Sequence, residues 1–135
     1  MDREGRSGSI LMGVCRGRLS EGIDFKDAMG RLVIIVGIPN PSRYERRIIL
    51  KEEVLDRKIA RQGTTYQNAI GETIRNISGH AWYNLLAYRA VNQAIGRVIR
   101  HKDDYGLITL IDDRYSKLDV RENISKWLQD VICGL

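Results

Sequence analysis

The sequence predicts an α/β domain in which helices flank a parallel sheet. Three apolar runs are the predicted strands, at residues 8–14, 31–38 and 105–111. Each run is continuously apolar rather than alternating, which is typical of parallel strands buried on both faces. Helical patterns lie between the last two runs. This succession of strands and helices indicates a doubly wound α/β sheet, and the small number of strands indicates that the sheet is incomplete.

The predicted helices begin with residues 43–62, in which charges fill the face opposite an apolar stripe. A polar, glycine-rich stretch at 63–79 predicts a long connection, and a second helix is predicted over 81–101. A third helix is expected to start near Ser116, where S-K-L-D offers an N-cap with an acid three residues later. The apolar residues predicted to be buried in the first helix are Ile48, Ile49, Val54, Leu55 and Ile59, and in the third Ile124, Trp127, Leu128 and Val131.

Composition limits the classes of protein to which the chain can belong. Its 135 residues, 43% of them hydrophobic, suit one compact domain, and a net charge of +5 favours polyanionic partners. The longest apolar run, at 32–38, is too short to cross a membrane, and the polar, acid-containing N-terminus resembles no targeting signal. We therefore expect an intracellular, soluble protein. Cys15 and Cys133 form no CxxC pair, so no metal site is predicted.

The predicted helix over 81–101 has two faces of different chemistry. Arginine has a planar fork of donors that suits phosphate oxygens, and a glycine lets a ligand or another backbone approach closely. No acid relieves the like charges on the polar face. A solvated basic face is the alternative, although such faces favour lysine. The polar face carries Arg89, Gln93, Gly96, Arg97 and Arg100, and the apolar face Ala87, Tyr88, Val91, Ala94, Ile95, Val98 and Ile99. We interpret the predicted helix over 81–101 as one whose polar face lies toward phosphate groups.

A second candidate region is GVCRGRLSEGIDF at 13–25, which follows the first predicted strand. Ligands of α/β sheets bind where strands end. Gly17 and Gly22 permit tight turns and exposed backbone N–H groups that could contact an anion. Glu21 and Asp24 could accept bonds from a hydroxyl group or pair with nearby arginines. A capped turn explains Ser20 and Asp24 equally well.

These stretches resemble two motifs of the XPD-like superfamily 2 DNA helicases, in the branch containing FANCJ and the telomere-elongation helicase regulator. VCRGRLSEGIDF resembles helicase motif V, and QAIGRVIR at 93–100 resembles motif VI. The stretches GIPNP and IDDRY also resemble segments of this family. The resemblance is weakest at 42–79. It implies that residues 1–135 are the C-terminal portion of a second RecA-like motor lobe, with the first lobe absent.

The resemblance also implies roles for individual residues. In that family ATP, with Mg²⁺, binds between two lobes, and Arg100 matches the arginine finger that stabilises charge on the transferring phosphoryl group. Arg97 and Gln93 match partners that organise the phosphates and the lobe interface. Gly22 and Asp24 match motif V positions that couple nucleotide state to DNA.

Nucleic-acid contacts are expected at Arg16, Ser20 and Arg89, toward a single strand or a forked duplex. The resemblance implies a 5′→3′ helicase of genome maintenance and DNA repair in the nucleus. An RNA-directed motor stays open, since no residue here distinguishes a 2′-hydroxyl reader from a DNA binder.

Three family features are absent from the sequence. It holds no G-x-x-x-x-G-K-[ST] phosphate loop, no DEAH-type box and no four-cysteine insertion. An iron–sulfur cluster is therefore expected only in a parent protein, and the isolated chain is expected to be an inactive fragment or half of a split enzyme. The alternative is a non-catalytic basic module that binds nucleic acid or docks on a motor lobe.

Overall fold

The computed structural model describes residues 8–17, 22 and 29–131. The observed class is mixed α/β, as predicted. In chain order the elements are β1 (Leu32–Val36), α1 (Arg46–Gln62), β2 (Thr65–Gln67), β3 (Thr73–Arg75), α2 (Gly79–Ile95), β4 (Leu107–Ile111), a 3-10 helix (Asp113–Ser116), α3 (Leu118–Asn123) and α4 (Lys126–Gln129). None of the described helices is both long and apolar enough to cross a membrane.

Two of the three predicted strands form the main sheet. β1 and β4 pair in parallel, with Leu32 opposite Leu107 and Val36 opposite Ile111. The prediction of a strand at 8–14 is wrong, because this segment pairs with no other strand and its apolar side chains are exposed. An apolar run becomes a strand only when a neighbouring strand accepts its backbone hydrogen bonds, and the described chain supplies none here.

Burial of the strands on both faces is also not observed. Side chains alternate between the faces of a sheet, and only one face of β1 and β4 packs against helices. That face contributes Val33, Ile35, Ile108 and Leu110 to the core. Within the described residues, the opposite face leaves five large apolar side chains exposed: Leu32, Ile34, Val36, Leu107 and Ile111.

Helix α2 is the centre of the core. Its buried side chains pack against the inner face of the sheet and against the C-terminal segment. The core cluster contains Ile35, Tyr88, Val91, Ile95, Tyr115, Val120, Ile124 and Leu128. The predicted apolar face is confirmed, since Ala87, Tyr88, Val91, Ile95 and Val98 are all buried.

Close packing fixes the start of α2, and polar contacts fix it near its end. At its start, a Cβ on Gly79 would lie 2.7 Å from the Glu52 Cα atom, so the missing side chain allows α1 and α2 to meet. Near its end, Asn92 Oδ1 accepts a hydrogen bond from the Ser125 backbone N–H at 2.9 Å. Asn92 Nδ2 also donates to the Asn123 carbonyl at 3.1 Å. The helix is therefore tied to the elements before and after it.

The predicted connection at 63–79 contains an antiparallel hairpin instead. β2 pairs with β3, with Thr65 opposite Arg75. Asn68 Oδ1 accepts the backbone N–H groups of Ile70 at 3.1 Å and Glu72 at 2.9 Å. Asparagine side chains close turns in this way. The two strands have three residues each, and the glycine-rich composition of the segment did not indicate them.

The flanking helices also differ from prediction in detail. α1 begins at Arg46, and of its predicted apolar residues Ile49 and Val54 are exposed. The single C-terminal helix predicted from Ser116 is wrong. Ser116 ends the 3-10 helix, where its hydroxyl donates to the Asp113 carbonyl at 2.6 Å, and two short helices follow. Ile124 and Leu128 are buried as predicted, whereas Trp127 and Val131 are exposed.

Candidate functional site

One exposed line of residues runs along the otherwise largely buried helix α2. It consists of Leu85, Arg89, Gln93 and then Gly96, directly after the last turn. Residues four apart in a helix lie on the same face. Because the core fixes the rest of the helix, Arg89 and Gln93 are held pointing away from it. The structure thus brings together two of the predicted site residues on one solvent-facing line.

The helix ends at Ile95, so its predicted extension to 101 is wrong. Gly96 still bonds to the Asn92 carbonyl at 3.0 Å, but the Arg97 N–H bonds to Ala94 at 3.2 Å and the Val98 N–H to Ile95 at 3.0 Å. This shift from i−4 to i−3 partners tightens the chain. Arg97 and Arg100 consequently lie in a loop, where Arg97 is partly buried and Arg100 is exposed.

Gly96 is not required by the conformation of its own chain. Its φ of −65° and ψ of −5° are available to any residue. A Cβ would lie 3.4 Å from the Asn92 carbonyl oxygen, which is an ordinary contact. Among the described residues, only carbonyl oxygens of the preceding helical turn lie within 4 Å of that Cβ position, so the predicted close approach at Gly96 stays a prediction.

The Asp104 carboxylate organises the loop that carries Arg100. Its Oδ1 accepts from Arg31 Nη1 at 2.7 Å and from the Tyr105 N–H at 2.9 Å. Its Oδ2 accepts from the Arg100 N–H at 3.1 Å. The hydrogen bond from Arg31, followed by that from the Arg100 backbone, lowers the pKa of Asp104. The sequence analysis did not predict a role for Asp104. Its position four residues after Arg100 could have indicated one.

Arg31 connects this loop to the beginning of the sheet. Its guanidinium lies 4.1 Å from the centroid of the Tyr105 ring and donates to the Tyr105 carbonyl at 2.8 Å. Its own carbonyl accepts the Leu107 N–H at 2.9 Å. The loop from α2 to β4 is therefore held against the residue that precedes β1.

A second ion pair lies where β4 ends. Asp112 accepts two bonds from the Arg114 guanidinium, at 2.8 and 2.7 Å, and its Oδ1 caps the 3-10 helix through the Arg114 N–H at 2.9 Å. These bonds hold the pKa of Asp112 far below its usual range and raise the pKa of Arg114. The IDDRY stretch singled out in the sequence is thus a rigid corner.

Tyr115 joins the carboxyl ends of the two parallel strands. Its hydroxyl donates to the Gly37 carbonyl at 3.0 Å, and burial, then the Asp112 charge, raises the pKa of Tyr115 to about 12.

A cavity of about 150 Å³ lies beside this corner. Its polar lining includes Asn40, Asn84, Tyr88, Arg114, Lys117 and Asp119. Burial also raises the pKa of Tyr88. Cationic and acidic groups share this lining, so no single ligand charge is favoured.

Arg16 connects the motif V stretch to α2. Its backbone is left-handed, at φ 66°, and its guanidinium donates to the Leu86 carbonyl within α2. Arg16 Nε is buried and has no hydrogen-bond partner among the residues that the structure describes. The two stretches singled out in the sequence therefore touch, and part of this guanidinium is directed inward. Its predicted contact with nucleic acid stays a prediction.

The remaining predicted residues of the motif V stretch are only partly described. Gly22 is exposed, and no atom of the described residues lies within 4 Å of the position that a Cβ would occupy. Ser20, Glu21 and Asp24 lie outside the described residues. In the described ranges, no three His, Cys, Asp or Glu side chains are grouped so that they could hold a metal ion. What these ranges do offer chemically is cationic groups and hydrogen-bond donors that can contact an anion.

Comparison with known proteins identifies the relatives of this chain. The helicase C-terminal domain model matches residues 2–131. The regulator of telomere elongation helicase 1 of Bos taurus is 46% identical over 123 residues, which cover 91% of this chain and 10% of that protein. Its homologue in Anopheles gambiae is 48% identical over 121 residues, covering 90% and 11%.

The homologue in Caenorhabditis elegans is 46% identical over 125 residues, covering 93% of this chain and 12% of that protein. The chain thus spans about a tenth of the length of these relatives. The match extends over the motif V and motif VI stretches and confirms the resemblance drawn from them. The chain belongs to the helicase C-terminal domain family, as an XPD-like superfamily 2 helicase region with the RecA-like lobe fold.

Proposed function

We propose that this chain is the C-terminal part of the second motor lobe of an ATP-dependent DNA helicase that acts in telomere and genome maintenance. The observation that supports the proposal is the position of the motif VI residues at the end of a buried helix. A core-bound helix exposes Arg89 and Gln93 on one line and leads directly into the loop of Arg97 and Arg100. The family match and the names of the relatives support the helicase assignment.

In this proposal, ATP and Mg²⁺ bind between this lobe and a first lobe outside the chain. The phosphate loop and the magnesium carboxylate belong to that first lobe, because this sequence contains neither motif. Arg100 stabilises the charge that develops on the transferred phosphoryl group, while Arg97 and Gln93 organise the phosphates. Donors held in place before the reaction are effective because no reorganisation is needed as charge develops.

The nucleic-acid contacts proposed for this chain come from Arg16, Ser20 and Arg89. Gly22 and Asp24 would couple the nucleotide state to the bound strand, and Glu21 would take part in nucleotide binding. Gly96 would let the opposing lobe approach. The preferred substrate is a single strand or a forked duplex, with 5′→3′ movement in the nucleus. The contact of Arg16 with α2 supports this coupling, since it joins the motif V stretch to the motif VI helix.

A non-catalytic basic module is the second candidate function. The net charge of +5 and the lack of a phosphate-loop sequence favour it for the chain taken alone. Such a module would use the same arginines for affinity but would make no contact specific to a transition state. The two candidates therefore differ in what loss of Arg100 changes.

The test is substitution of Arg100 in a two-lobe helicase that contains this chain. Arg100→Ala should lower DNA-stimulated ATP turnover by roughly 10³–10⁵, the range attributed to arginine fingers. ATP affinity should change little, because the lost contact forms in the transition state. Arg100→Lys should restore little activity, since an ammonium group lacks the guanidinium fork.

The matched control is Arg61→Ala, which removes an exposed arginine from the last turn of α1. It should leave turnover within about twofold of the unmodified enzyme, as surface substitutions usually do. Near-normal turnover in Arg100→Ala would contradict the motor assignment and favour the basic module.

A further inference from the structure

We infer that Asp104 is the positioning residue for Arg100, and that it acts through the Arg100 backbone amide. The inference rests on the proposed role of Arg100. Asp104 is the residue whose side chain receives a bond from the backbone of that arginine, at 3.1 Å. The bond fixes the main chain from which the guanidinium extends.

The Asp104 side chain is held more firmly than an ordinary loop carboxylate. Only 4% of it is exposed, and Arg31 Nη1 lies 2.7 Å from its Oδ1. The same oxygen accepts the Tyr105 N–H, which leaves Oδ2 directed at the Arg100 N–H. A turn from His101 closes on the Asp104 N–H at 3.0 Å. Both carboxylate oxygens are therefore used, each for a different part of the loop.

Packing fixes the loop on the other side of Arg100. Val98 is buried, and it lies so close to Gly106 that a Cβ on this glycine would overlap the Val98 side chain. The Arg31 carbonyl oxygen lies 3.3 Å from the same point. Arg100 thus stands between a residue anchored by the core and a residue anchored by an ion pair. Two anchors within a few residues are what accurate placement of a loop side chain requires.

Neutralising Asp104 should break this arrangement without changing its shape. Asparagine replaces one of the two carboxylate oxygens with a donor nitrogen. Because Arg31 and the Arg100 N–H bond to different oxygens, asparagine cannot keep both bonds. We expect Asp104→Asn to lower ATP turnover by about 10- to 100-fold in the two-lobe enzyme, because small displacements of a reacting group have effects of this size. ATP affinity should stay within about twofold.

The matched control is Asp103→Asn, which removes the same charge from the exposed neighbouring residue. Its turnover should stay within about twofold of the unmodified enzyme. Arg31→Lys is the second variant, because it keeps a cation beside Asp104 and leaves the bond to the Arg100 N–H in place. It should lose at most about threefold in turnover, which is less than Asp104→Asn loses.

A readout that does not depend on activity is hydrogen exchange at the Arg100 amide in the 135-residue chain. This amide should be protected in the unmodified chain, in Asp103→Asn and in Arg31→Lys, and should lose protection in Asp104→Asn. If Asp104→Asn does not fold, Asp104→Glu replaces it, since a longer carboxylate can keep Arg31 while moving away from the Arg100 amide. The same loss of turnover is expected.

A double-mutant cycle separates positioning from general stability. If Asp104 acts through Arg100, adding Asp104→Asn to Arg100→Ala should lower turnover by less than about threefold further. If the two substitutions lower turnover independently, so that their effects multiply, this inference is wrong. It is also wrong if Asp104→Asn has normal turnover while Arg100→Ala has lost most of its turnover. Neither result would contradict the proposed function. Normal turnover in Arg100→Ala itself would overturn both.

Discussion

Helices α1 and α2 have the same length and opposite environments. Each contains 17 residues, but α1 buries only Ile48, whereas α2 buries seven of its residues. Within α1, Arg57 forms a local bridge with Glu53 at 2.5 Å. α2 bonds to segments that are distant in the chain: Asn92 accepts from the Ser125 N–H, and the Gly79 N–H donates to Asp56 of α1 at 2.8 Å.

The difference shows why the candidate site is built on α2. An exposed ion pair contributes at most about 1 kcal/mol, whereas full burial of an aliphatic side chain contributes about 1.5–3 kcal/mol. A helix held by its core keeps its exposed residues in fixed directions. α1 carries six lysine and arginine residues and α2 only one, but few contacts fix those of α1 relative to the rest of the molecule. Charge alone therefore does not identify the site; rigid support does.

The largest expected effect on stability is a cavity beneath the site. Ile95→Ala should destabilise the fold by about 2–5 kcal/mol, because Ile95 is 0% exposed in the core. Ile49→Ala in α1 removes the same atoms from a side chain that is 50% exposed. It should cost less than about 1 kcal/mol. Chemical denaturation of both variants measures the difference, and equal losses would refute the contrast between the helices.

The polar anchor near the end of α2 should have a smaller effect. Asn92→Ala leaves the Ser125 N–H and the Asn123 carbonyl without their partner. We expect a loss of about 1–3 kcal/mol, the usual cost of unsatisfied buried groups. Asn84→Ala is the control, since the Asn84 side chain contacts His80 on the same helix, at 3.2 Å. The thermal midpoint of Asn92→Ala should fall clearly below that of Asn84→Ala; similar midpoints would show that this anchor is dispensable.

The smallest expected effect concerns binding of single strands. Arg89→Ala should weaken oligonucleotide binding by the 135-residue chain a few-fold and reduce the salt slope by about 0.7, the value for one phosphate contact. Arg46→Ala removes an exposed cation from the first turn of α1 and should leave the slope nearly unchanged. Fluorescence anisotropy at several salt concentrations checks this. An unchanged slope in Arg89→Ala, or an equal change in both variants, would mean that binding does not distinguish the two helices.

Prediction from sequence succeeded where local pattern and burial agree. The runs at 31–38 and 105–111 became β1 and β4 because each is apolar on the face that the core covers. The run at 8–14 is also largely apolar, but it has no partner strand among the described residues. Composition could not distinguish these cases, because pairing depends on residues that are distant in the chain.

The motif VI stretch and the residues beside it show the same division. Periodicity correctly assigned Val91, Ile95 and Val98 to the buried side. It extended the helix too far, because Asp104 competes for the Arg100 N–H that a longer helix would have used. The motif V residues Ser20, Glu21 and Asp24 lie outside the described residues, so their predicted roles remain predictions.

What the sequence by itself determined is the family, the α/β class and the apolar side of α2, since these depend on residue types and on their spacing. Only the tertiary structure decided where α2 ends, which sheet face is covered, and that Arg31 and Asp104 hold the loop of Arg100. Arg31 and Asp104 are 73 positions apart in the chain. Spacing patterns report contacts within one element, whereas contacts of this kind exist only after the sheet brings its strands together.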